Sequence, residues 1–127
     1  MRIVAEDIRI VQLVSRMTGK VYSPPFTTVG IEKDGEIIGG VLFNCYEGED
    51  IHVSIAGKGW TKGFLAEIGN YCFNQLGCYR ITSVTEDPKV VRIGERLGGK
   101  IEGCLRGHFG EGRDGFIVGI TRDEYRF

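Results

Sequence analysis

The chain has 127 residues, enough for one domain with its own core and too few for two ordinary ones. Its 42% hydrophobic and 26% charged residues disfavour intrinsic disorder, and 16 Lys+Arg against 17 Asp+Glu lack the cation excess of a sequence-blind nucleic-acid binder. No apolar run approaches the ~20 residues that cross a bilayer, and Met1-Arg2-Ile3-Val4 runs into Glu6-Asp7 rather than a signal-peptide core. The expectation is a soluble cytoplasmic protein with one domain over residues 1–127, with no nucleic-acid or membrane partner.

Arg2-Ile3-Val4 reads as a short strand. Glu6 to Met17 then carries Ile8, Val11, Leu13 and Val14 at roughly helical spacing and stops near Gly19. Tyr22-Ser23-Pro24-Pro25-Phe26 cannot continue a helix, because proline lacks an amide hydrogen and restricts the residue before it. Val29 to Lys33 and Glu36 to Phe43 flank Asp34-Gly35, a dipeptide suited to a tight primed turn, and so read as a hairpin. Ile51-His52-Val53-Ser54-Ile55 alternates with period two, which places Ile51, Val53 and Ile55 on the core side.

Thr61 to Leu76 puts Leu65, Ile68, Cys72 and Leu76 on one helical stripe, with Gly77 where a left-handed cap belongs. Tyr79 to Val84 is the next strand, and the crossover between it and residues 51–55 is long enough for parallel pairing. Asp87-Pro88 is a helix start and Gly98-Gly99 a stop. Lys100 to Arg106 and Phe116 to Ile120 are two late strands. The order βαβββαβαββ gives an α/β (α+β) domain with a mixed sheet and helices packed on it.

Cys45, Cys72, Cys78 and Cys104 show no CxxC spacing and only two histidines accompany them, so no metal site is expected. Reduced, mostly buried thiols are. The 20 glycines are scattered without period and mark turns and close backbone approaches.

The most specific local feature is Ala56-Gly57-Lys58-Gly59-Trp60-Thr61-Lys62, between a strand end and a helix start. Glycines let the backbone approach a bulky anion, and the first amides of a helix have no internal partners. With the helix dipole and the Lys58 and Lys62 ammonium groups, a phosphate or pyrophosphate has a seat there. The spacing matches neither a P-loop nor a dinucleotide-binding fingerprint. A plain glycine turn with Thr61 as N-cap is the alternative reading.

The run from Gly57-Lys58-Gly59-Trp60 through Phe73-Asn74-Gln75-Leu76-Gly77, Tyr79-Arg80-Ile81, Arg92 to Gly99 and Ile101 to Arg106 resembles the GNAT superfamily of acetyltransferases. It looks most like the branch of ribosomal-protein N-acetyltransferases and their small phage-encoded relatives. The resemblance implies a GNAT fold with about six to seven strands and three to four helices. It also implies an acetyl-CoA site where two central strands splay apart. In that family the strand matching Val53, Ser54 and Ile55 presents its backbone to the acetyl and pantetheine portion, and the loop matching Gly57, Lys58, Gly59, Trp60, Thr61 and Lys62 wraps the pyrophosphate. Ala56 stands where the family has Gln or Arg. Asp87 stands where many members carry an asparagine that touches the cofactor, and Gly94 where many carry a tyrosine acid.

Acetyl transfer to an amine requires a base for the amine proton and donors for the developing oxyanion. His52 and Ser54 share the polar face of their strand beside the acetyl position that the resemblance implies. Glu49 is the preferred carboxylate in the acidic stretch Glu47, Glu49, Asp50, which together with Glu32, Asp34 and Glu36 gives residues 29–55 an acidic excess suited to a cationic amine. Tyr22 and Phe26 are candidates for the acceptor side, and a short N-terminal helical region leaves that side open enough for a protein or peptide end. The expected function is acetyl-CoA-dependent transfer to a primary amine on a protein, peptide or small molecule, with a homodimer left open. The alternative is an inactive GNAT-fold module acting through protein contacts.

Overall fold

In the computed structural model, which describes residues 1–127, the elements follow the expected order. They are β1 (Arg2–Ala5), α1 (Ile8–Thr18), β2 (Phe26–Lys33), β3 (Glu36–Asn44), β4 (Asp50–Gly57), α2 (Lys62–Gly69), β5 (Arg80–Thr85), α3 (Pro88–Arg96), β6 (Lys100–Leu105) and β7 (Gly115–Thr121). Asp34 and Gly35 have φ of 52° and 79°, as a primed hairpin turn requires, and they join β2 to β3. Asp7 caps α1 by accepting the Arg9 amide, and Gly19 closes it with φ 70°.

The seven strands form one sheet in the order β1-β2-β3-β4-β5-β7-β6. Only β4 and β5 are parallel neighbours. Burial separates the two faces. On one, Ile10, Leu13 and Val14 of α1 pack on Leu42 and Ala56. On the other, Phe64, Leu65, Ile68 and Cys72 pack on Val41, Phe43, Ile51, Ile81 and Ile120. Ile51 is buried as the alternation requires, with Val53 and Ile55 partly buried against the same cluster.

The structure differs from the sequence expectation at α2. The expected single helix becomes π-helical over Asn70–Gln75, where the Leu76 amide donates to the Tyr71 carbonyl. The wider turn leaves the consecutive residues Cys72 and Phe73 both buried, and the Tyr125 hydroxyl, from the C-terminal segment, donates to the Leu65 carbonyl at 2.5 Å. The cysteines also differ. All four are free, but only Cys72 and Cys78 are buried, while Cys45 and Cys104 are exposed. No helix is long and apolar enough to cross a membrane.

Candidate active site at the splayed strands

β4 and β5 face each other at only three positions, Asp50↔Arg80, Ile51↔Ile81 and His52↔Thr82. Beyond them β4 keeps its partner β3 as far as Gly57, and β5 keeps β7 as far as Thr85. The edges that face each other across the gap therefore carry backbone groups with no ladder partner. A side-chain network fixes the closed end: Thr82 donates to Asp50 Oδ1 at 2.7 Å, Arg80 Nε donates to Thr82 at 3.1 Å, and Arg80 Nη2 meets Glu102 at 2.6 Å. The open end forms a cleft of about 450 Å³, within the size range of small-molecule sites.

At the far end of β4 the chain turns sharply into α2. Gly57 has φ 84°, and a Cβ there would strike the Ile38 carbonyl, so this position requires glycine. The Lys58 amide donates to Ile38 and the Thr61 amide to Gly59, which shapes the turn. Thr61 caps α2 by accepting the Phe64 amide at 3.2 Å. The amides of Gly59, Trp60, Lys62 and Gly63 have no acceptor. They surround the positive end of the helix, flanked by the exposed lysines Lys58 and Lys62. Trp60 stacks on Phe64 with centroids 5.5 Å apart and donates its indole N–H to the Gly57 carbonyl at 3.2 Å. The loop thus combines anchoring bonds with free donors suited to a diphosphate.

The cleft runs through the sheet. On the α2 and α3 side it is bordered by Trp60, Lys89, Val90 and Ile93, and on the α1 side by Met17, Thr18, Lys20 and Tyr22, with Phe109 from the loop after β6. Asp87 lies at its rim, where its carboxylate accepts the Lys89 amide at 2.9 Å and caps α3. The Tyr22 hydroxyl is 3.2 Å from that of Thr18. Lys20 Nζ lies 4.8 Å from the centre of the Phe109 ring.

His52 occupies the last paired position before the gap, on the same face of β4 as Ser54, and its Nε2 is 3.5 Å from Asp50 Oδ2. Ser54 lines the cleft; His52 and Glu49 do not. Glu49 is exposed, and its backbone carbonyl accepts the amides of Tyr79 and Arg80. The acids Glu47, Glu49 and Asp50 therefore sit at the closed end of the strand pair and do not line the cleft.

No protein-family model matches the chain, and no curated protein matches it by sequence. Solved structures do match it in three dimensions. The spermidine/spermine N-acetyltransferase SpeG from Vibrio cholerae, in a mutant form, superposes with a TM-score of 0.75 at 18% identity, over 98% of this chain and 96% of that one. This is the GNAT fold. Aminoglycoside 6'-acetyltransferase type Ii matches with a TM-score of 0.68 at 18% identity, over 96% of this chain and 97% of that one. At such identities the likeness is one of fold.

Within this GNAT fold, Ser54, Ile55, Gly57, Trp60, Asp87 and Tyr22 come together at the cleft, whereas Val53, Lys58, Gly59, Thr61 and Lys62 do not line it. The last four belong to the loop that Gly57 and Trp60 bring to its edge. Phe26 differs from its expected place: as the first residue of β2 it packs on the α1 cluster rather than lining the cleft. Two departures from the family pattern have structural causes. Ala56 is buried in the cluster that Ile10, Leu13 and Val14 of α1 form, at the wall of the cleft. Gly94 lies where α3 crosses β7, and a Cβ there would strike Val118 Cγ1. Sequence reading missed the β5 side of the cleft (Ser83, Val84, Thr85) and the distant contributors Lys20 and Phe109. The parallel crossover was the one available signal for the first group.

Proposed function

We propose that the chain is an acetyl-CoA-dependent N-acetyltransferase acting on a primary amine by direct attack in a ternary complex. The observation that carries this reading is the opening of β4 from β5 just past His52 and Thr82, with four unpartnered amides at the far end of β4. Acetyl-CoA supplies an activated acyl carbonyl. The free edges of β4 and β5 suit its amide-rich arm, and the amides of Gly59, Trp60, Lys62 and Gly63, with Lys58 and Lys62, suit its diphosphate. His52, at the head of the gap but outside the cleft lining, takes the amine proton through water, with Asp50 steadying the imidazolium that forms. Ser54 lines the reaction zone and donates to developing negative charge. The new C–N bond forms as the C–S bond breaks, and the thiolate leaves to take up a proton.

The solved neighbours named for spermidine, spermine and aminoglycosides support an amine as acceptor. Placement in the ribosomal-protein branch rests on the motif run over residues 57–106 alone. A non-catalytic module is the second reading, favoured by Gly94, where Val118 leaves no room for the family's tyrosine. A thermal shift with acetyl-CoA and a thiol-release assay with small amines separate the two. Ligand at ~100 times its dissociation constant stabilises the native state by about 2.7 kcal/mol. Stabilisation with amine-dependent CoA release supports the enzyme, and no release from any amine supports the module.

A further inference from the structure

Four charged side chains line the cleft: Lys20, Glu86, Asp87 and Lys89. Both carboxylates are already engaged. Glu86 is held by Arg113 at 2.5 Å, a bond that keeps its carboxyl below the usual range, and Asp87 caps α3. Lys89 is exposed in the first turn of α3, on the face of the sheet that carries the diphosphate loop.

Lys20 differs from these three. It lies on the opposite face, on the loop after α1, partly withdrawn from water, and its ammonium has no hydrogen bond or ion pair in the protein. Burial lowers its pKa, with the Cys45 thiol acting in the opposite direction. The Phe109 ring face 4.8 Å away offsets only part of that desolvation. Thr18 and Tyr22 line the cleft with it: the Thr18 hydroxyl donates to the Val14 carbonyl at 2.7 Å and so accepts from the Tyr22 hydroxyl at 3.2 Å. An unpaired ammonium beside a tyrosine hydroxyl that can turn from Thr18 to a ligand is a set that suits a carboxylate or phosphate oxygen. The acidic cluster at Glu47 and Glu49 lies at the closed end of the strands and supplies no counter-charge.

We infer that Lys20, with Tyr22, forms a subsite for an anionic group, so that the acceptor is a small amine carrying a carboxylate or phosphate close to its nitrogen, in preference to a polycation. The inference rests on the acetyl-transfer reading and specifies its acceptor.

Four short amines test it: ethanolamine, whose hydroxyl tail is uncharged, β-alanine, phosphoethanolamine and 1,3-diaminopropane. Dissociation constants are measured on the CoA-loaded protein by NMR titration, and kcat/KM with acetyl-CoA. β-Alanine or phosphoethanolamine should exceed ethanolamine by roughly 10- to 100-fold in both, the range of a hydrogen bond to a charged group. The better of the two identifies carboxylate or phosphate. Lys20→Met, which keeps the apolar stem on Phe109, should bring the ratio to about 1. Lys20→Arg should retain it, and Lys20→Glu should turn the preference toward diaminopropane. Equal handling of amines with anionic and uncharged tails, a wild-type preference for the diamine, a ratio that survives Lys20→Met, or no amine bound to CoA-loaded protein overturns the inference. Failure to bind CoA at all removes the acetyl-transfer reading, and this inference with it.

Discussion

His52 of β4 and Thr82 of β5 are the last facing pair at the only parallel junction in the sheet, and the strands part from the next residue on. Asp50 ties the two together: it accepts the Thr82 hydroxyl at 2.7 Å and lies 3.5 Å from His52 Nε2. The imidazole thus sits at the head of the gap, within reach of that carboxylate.

From that position, His52→Ala should lower kcat by about 100-fold, the scale of a lost general base, with KM changed far less. Glu49→Gln should leave both within about twofold, because Glu49 is exposed at the closed end and engages its neighbours through its backbone. Steady-state kinetics of the two variants with one acceptor checks the assignment. The reverse ranking would move the proton path to the carboxylate.

Gly94→Tyr, which would introduce the tyrosine common among the acetyltransferases that the sequence resembles, should destabilise the fold rather than add an acid. Its Cβ alone would meet Val118 Cγ1 at 2.7 Å, and overpacking of this kind costs about 1–3 kcal/mol or more. Calorimetry should show a fall of several degrees in Tm that Val118→Ala partly restores. Additive effects of the two substitutions would mean that they do not share the contact.

The order of elements, the Asp34-Gly35 hairpin, the Asp87 cap and the alternation of Ile51, Val53 and Ile55 were all legible in the sequence, because each is set by residues within one turn or one period. The glycine turn between β4 and α2, with Thr61 as its cap, was legible for the same reason. What escaped depends on contacts between distant segments. Tyr125 meets Leu65 above the π-helical turn across 60 residues, and Phe109 reaches Lys20 from the loop after β6. Glu49 lies at the closed end of the strand pair, a place not legible in the sequence, which shows that acids precede a strand but not at which end the pair opens.

The thiols should divide two and two. Cys45 and Cys104 should react with a disulfide reagent in the native state, and Cys72 and Cys78 only on unfolding. Burial pushes the Cys72 thiol up to about 12, against an ordinary value near 9. The unfolded chain therefore loses this proton first, so the stabilisation is complete below about pH 9 and disappears as pH rises toward about 12. Cys72→Ala should flatten the alkaline limb of the Tm profile.

Asp87→Ala should cost about 1 kcal/mol through loss of its bond to the Lys89 amide. Asp87→Asn should restore most of that stability, since an asparagine oxygen can accept the same bond. Denaturant titration of the three proteins checks this; equal stability of all three would show that Asp87 does not cap α3 in solution.

The central claim is that the free main-chain donors at the end of β4 hold the diphosphate of acetyl-CoA. An amide-resolved ¹H–¹⁵N NMR titration with CoA tests it most directly. The largest shifts should fall on the amides of Gly59, Trp60, Lys62 and Gly63, with those of Lys58 and Thr61, already bonded to Ile38 and Gly59, responding less. Saturable binding whose shifts avoid residues 59–63, or no binding at millimolar CoA, would contradict the account.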